Sequence, residues 1–158
     1  MANITKKRLA ERQFGGVPYG NTTTLHATLE TNASGAAIDS DTTAAIASGD
    51  VVRLALLPAG AKLQDLQAIV SNTFSASVTG SIGFAYADGV DSAAVPQDAA
   101  YFLSAQALSS TGRFRANTAK APVTLPKDAY LILTTGGAAN AKASKLDALV
   151  EVELVGAP

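Results

Sequence analysis

Apolar and polar residues alternate with a period of two in almost every segment of this chain beyond Thr22, and that pattern excludes most folds. In TTTLHATL, Leu25, Ala27 and Leu29 share one side, with Thr24, His26 and Thr28 on the other. Leu66, Ala68 and Val70 oppose Asp65, Gln67 and Ser71 in the same way. Ile82, Phe84 and Tyr86 alternate with Ser81, Gly83, Ala85 and Ala87, small residues that permit close approach by another layer or another chain. In LDALVEVELV, Leu146, Ala148, Val150, Val152 and Leu154 stand against Asp147, Glu151 and Glu153. Successive side chains of a strand point to opposite faces, so these segments read as half-buried strands rather than helices, whose apolar positions would recur every 3.6 residues.

Two stretches punctuate the strands alike: LPAGAKLQDLQAIV from Leu57 and LPKDAYLIL from Leu125. Proline fixes φ and lacks an N–H, so it suits the bend into a new strand. Ala59-Gly60 can complete a type II turn and Lys127-Asp128 suits type I, which makes both stretches corners. Val51 to Leu57 is nearly continuous in apolar residues, as expected of a strand buried on both faces. Residues 31 to 50 and 135 to 145 read as loops. Between Ser92 and Ala116 the pattern predicts a loop or a single helical turn at Pro96, then one or two short strands. Some seven strands without intervening amphipathic helices imply an all-β antiparallel β-sandwich. Long, uneven loops and the absence of Trp and Cys favour a jelly-roll-like arrangement over an immunoglobulin-like one. Its expected core holds Leu66, Val70, Ile82, Phe84, Tyr86, Leu131, Leu133, Val150 and Val152.

A chain of 158 residues fits one domain. The first 21 residues differ from the rest: Lys6, Lys7, Arg8 and Arg12 against Glu11 give a local charge of +3, followed by Gly15-Gly16, Pro18 and Gly20-Asn21. This predicts an extended N-terminal arm over residues 1–21 and a β-sandwich domain over 22–158. Only 16% of residues are charged, and the net charge of −1 provides no field to attract nucleic acid or an anionic membrane. No stretch approaches the roughly 20 apolar residues of a membrane helix, and the basic start has no apolar segment behind it, so neither a secretory signal nor a span is expected.

Residues that could carry chemistry are sparse. The single histidine, His26, sits on the polar side of a strand, and there is no cysteine, so no thiolate metal site, disulfide or histidine cluster can be assembled. Asp88, Asp91 and Asp98 could offer oxygens to calcium, but their spacing is not that of an EF-hand loop, and Asp-Gly is ordinary turn chemistry. Neither GSIG at Gly80 nor the Gly-Gly pairs lead into a phosphate-binding helix. Arg113 and Arg115 around Phe114 could stack a base, or could be outward charges guarding an edge strand. No catalytic, cofactor-binding or metal-binding residue is assigned, and no cofactor is expected.

The succession GDVVRLALLPAGAKLQDLQAIVSN, GSIGFAYADGVD, DAAYFLSAQALSSTGRFR, LPKDAYLILTT and LDALVEVELV resembles capsid decoration, or cement, proteins of tailed bacteriophages. The likeness covers roughly residues 49 to 155 and rests on turn and core patterns. It implies a non-enzymatic virion protein, bound in many copies to the outer surface of an icosahedral head. Its partner would be the major capsid protein, with self-association into a dimer or trimer. The basic arm is then the expected capsid contact, through Lys6, Lys7, Arg8 and Arg12. The alternative is a receptor- or carbohydrate-binding β-sandwich module of a phage tail or cell-surface protein, which would call for exposed aromatics on a sheet face.

Overall fold

The computed structural model describes residues 2–5 and 22–154. They form β1 (Asn3–Thr5), β2 (Thr22–Thr31), β3 (Val51–Leu57), β4 (Ala61–Asn72), β5 (Thr79–Tyr86), β6 (Asp98–Ala107), β7 (Gly112–Arg115), β8 (Val123–Thr124), β9 (Ala129–Gly136) and β10 (Ser144–Leu154). One sheet has the order β1-β3-β9-β5-β6, the other β2-β10-β4-β7 with β8 also on β4. Every pairing is antiparallel except that of β1 with β3.

The ladders β2·β10, β3·β9, β4·β7 and β5·β6 are those of one long hairpin with β5 and β6 at its tip. Rolling that hairpin sets β10 beside β4 and β9 beside β5, closing two stacked sheets. This is the jelly roll. The period-two pattern is what makes it possible, because each strand turns its apolar side to the space between the sheets. All nine expected core residues are buried there. Phe84 packs edge-on against Tyr86 and Tyr101, with ring centroids 5.8 and 5.4 Å away, and Tyr101 meets Phe102 at 4.7 Å.

Both Leu-Pro stretches are corners that carry the chain from one sheet to the other. In the first, Ala61 N–H donates to Pro58 C=O, with Gly60 at φ +81°, where a side chain would be strained. The second is an open bend between β8 and β9. The two corners bind each other: Gly60 N–H donates to Leu125 C=O at 2.8 Å, Leu125 N–H to Ala61 C=O at 2.9 Å, and Ala59 N–H to the Asp128 carboxylate at 2.8 Å.

Three segments depart from expectation. β3 is buried on one face only. A bulge between Arg53 and Ala55 shifts its phase, so Val52, Leu54 and Leu57 all reach the core and the run looks continuous. No helical turn forms after Pro96. Instead Ala99 to Phe102 make a wide irregularity opposite Gly83, whose missing side chain admits the Asp98 carbonyl: a Cβ there would lie 2.0 Å from that oxygen. Finally, Asn3–Thr5 of the N-terminal stretch adds a strand to the first sheet, with Ile4 buried and Ala2 N–H donating to the Asp50 carboxylate at 3.0 Å. Residues 6 to 21, the rest of the expected arm, lie outside the described residues.

At the opposite end from the corners, the loops are joined by Asn140. Its Oδ1 accepts the Ser75 N–H at 3.0 Å, while Nδ2 donates to Thr31 Oγ1 and to Lys142 C=O. Its own N–H donates to Ile46 C=O.

Candidate functional site

His26 stands on the outer face of the second sheet, half exposed, where the β2·β10 register brings Asp147 within reach. Its Nε2 lies 2.9 Å from Asp147 Oδ1 and 3.2 Å from Thr28 Oγ1, and the Thr28 hydroxyl donates to the same Asp147 oxygen at 2.6 Å. A triad base needs its nucleophile on one ring nitrogen and its orienting carboxylate on the other. Here both partners crowd one nitrogen, and the hydroxyl is turned onto the carboxylate. The arrangement is a surface ion-pair row, continued by Lys145–Glu30 at 2.8 Å. Burial pushes the Asp147 carboxyl up, but hydrogen bonds from Thr28 and His26 and the charges of His26 and Lys145 outweigh it and hold the group below its ordinary value.

The three aspartates expected near one another are each committed separately. Asp88 pairs with Lys127 at 2.7 Å, Asp98 with Lys120 at 3.1 Å, and Asp91 Oδ1 accepts the N–H groups of Ser92 and Gln97. Among the described residues no cluster of three or more His, Asp or Glu could hold a metal ion. Arg113 and Arg115 lie on β7, an edge strand, where Arg115 pairs with Asp65 and Arg113 donates to Gln67 Oε1 at 3.0 Å. Phe114 packs against the core and offers no free stacking face. Beside this edge lies an open depression of about 260 Å³ lined by Thr24, Asp65, Gln67, Arg115, Leu149 and Glu151. No exposed aromatic occurs among the described residues. Lys6, Lys7, Arg8 and Arg12 lie outside them.

The most elaborate surface structure is one that motif reading missed. β5 and β6 pair as a hairpin, yet eleven residues, Ala87 to Gln97, connect them where about 2–5 suffice. The loop stands on the second corner. Ala87 N–H donates to Asp128 C=O at 3.0 Å, and Lys127 Nζ donates to both Asp88 carboxylate oxygens and, at 2.6 Å, to Val90 C=O while lying 4.6 Å from the centre of the Tyr86 ring. Tyr86 O–H donates to Val95 C=O, and its N–H to Gln97 Oε1 at 3.3 Å. Lys127 is the first cause of the low pKa of Asp88, by hydrogen bonding to its carboxylate. At the tip Val90 is 62% exposed, the largest value of any bulky apolar side chain among the described residues. The signal present in the sequence was the length of ADGVDSAAVPQ between two segments that alternate like paired strands.

No protein-family model matches the chain, and no curated protein matches it. Among solved structures it is similar to a chain in the capsid of Ralstonia phage GP4, at 13% identity and a TM-score of 0.67 over 98% of this chain and 99% of that one. It is also similar to a chain in the acidic stable capsid structure of Helicobacter pylori bacteriophage KHP30, at 17% identity and 0.54 over 86% and 91%. A third match is to a chain of the cyanophage Pam1 capsid asymmetric unit, at 14% identity and 0.57 over 92% and 94%. At such identities the shared property is the fold, which extends over nearly the full length of each chain.

Proposed function

We propose that this chain is a non-enzymatic structural protein of a phage virion, a decoration or cement protein that binds the outside of an icosahedral head and stabilises contacts between capsomers. The observation that carries this is the shared fold, end to end, with a chain of a phage capsid. The local chemistry supports it: His26 and Asp147 are arranged as a surface pair and not as a relay. A surface with few charges also favours permanent apposition, since little desolvation of ions opposes burial. Internal pressure from packaged DNA pushes capsomers apart. A protein bound across their boundary adds contacts that must break first, and so stabilises the assembled state by mass action.

In this role the major capsid protein is the partner, the bound form is a homo-oligomer, and Lys6, Lys7, Arg8 and Arg12 face capsid carboxylates. The experiment is co-sedimentation of the purified protein with heads assembled from the major capsid protein of the same genome, followed by heating of decorated and bare particles. Saturable binding and a higher disruption temperature are expected. Failure to bind, or binding without stabilisation, would remove the cement role.

A further inference from the structure

We infer that the loop from Ala87 to Gln97 is the rigid apolar plug by which this protein seats in its partner, an apolar recess with a basic rim on the shell subunit. The inference rests on the virion role proposed above. Three observations carry it. The loop is longer than the hairpin requires, and such added length in a compact domain is characteristic of binding loops. Its polar groups are turned inward: Asp88 is neutralised by Lys127, and Asp91 Oδ1 is spent on two backbone N–H groups. What faces outward is Ala87, Val90, Ala93, Ala94 and Pro96. Most loops present polar atoms to water and keep their bulky apolar residues inside, and this one does the reverse.

The pinning determines what such a loop is good for. A mobile apolar segment would lose conformational freedom on docking, and that loss would oppose binding. Here Lys127, Asp128 and Tyr86 already hold the loop from below, so Val90 is presented in one position by the corner on which the loop stands. An anchor side chain entering a recess, ringed by small residues that exclude water, is the arrangement in which a single contact dominates an interface. Asp88, Asp91 and Lys127 together leave one net negative charge beside the tip, which sets the preference for a basic rim.

The test compares the intact protein with Val90→Asp, Val90→Ile and Lys127→Met in co-sedimentation with assembled heads, alongside thermal unfolding and light scattering of each free protein. Val90→Asp is expected to weaken binding by about tenfold or more with an unchanged unfolding temperature, because the residue supports no core. Val90→Ile should bind like the intact protein. Lys127→Met should bind more weakly although Val90 is retained, since it frees the loop. Undiminished binding by Val90→Asp would overturn the plug. So would a change in self-association without loss of head binding, which would make the recess part of a second copy. If the intact protein itself does not bind heads, the virion role fails, and the plug with it.

Discussion

Asn140 illustrates how much a single side chain carries in a fold whose loops are long. Buried, it satisfies groups from three separate segments, at Thr31, Ser75 and Lys142. Asn140→Ala should therefore cost about 2–3 kcal/mol, read from denaturant unfolding, because it leaves buried donors and acceptors without partners. Phe84→Ala should cost about 3–5 kcal/mol through the cavity left between Tyr86 and Tyr101. Asp147 gives a pH signature. Its folded-state pKa lies below the ordinary carboxylate value, so its contribution is full above roughly pH 4 and lost as the pH falls through the depressed value. Asp147→Asn should flatten that acid limb in a pH series of unfolding midpoints and leave the neutral range little changed in slope. The core residues were legible in the sequence because alternation names the buried side directly. Asn140 was not, because nothing in its neighbours distinguishes a loop asparagine facing water from one that fills a polar pocket.

Among the elements, the short β1 depends on one side chain. Ile4→Ala should lower stability by about 2 kcal/mol or more, since the residue is as buried as any in the central strands. Asp50→Ala should loosen the same strand by freeing Ala2 N–H, seen as faster amide exchange at Val51, whose N–H is donated to Ala2 C=O. β3 shows why a strand can mislead when read from its residues alone. A bulge changes which side faces inward partway along, so a half-buried strand takes on the composition of a fully buried one. The β6 region was obscure for the opposite reason: its geometry is dictated by Gly83 on the neighbouring strand, a residue far away in sequence. The corners were visible as a repeated Leu-Pro, but their mutual hydrogen bonding follows from the register of β3 and β9, which places Leu57 opposite Ala129. Of the candidate contact surface, the arm was conspicuous through its charge, whereas the loop of Val90 was hidden by ordinary turn residues.

For the whole molecule, the proposed attachment through the arm has a simple electrostatic consequence. Replacing Lys6, Lys7, Arg8 and Arg12 by glutamine should weaken head binding at low salt and leave it nearly independent of ionic strength, as measured by co-sedimentation between about 0.05 and 0.5 M salt. Equal binding by both proteins across that range would show that the arm does not anchor. The rolled hairpin constrains the molecule in another way. β2, the first long strand, finds its only sheet neighbour in β10, and His26 meets its partner 121 positions later. A nascent chain on the ribosome therefore cannot complete its second sheet until the last strand has emerged. Folding dominated by such distant pairings is slow. During synthesis the long edges of β4 stay without β10, exposed to other nascent chains. The supply of finished subunits to a growing particle is thus set by events after translation ends.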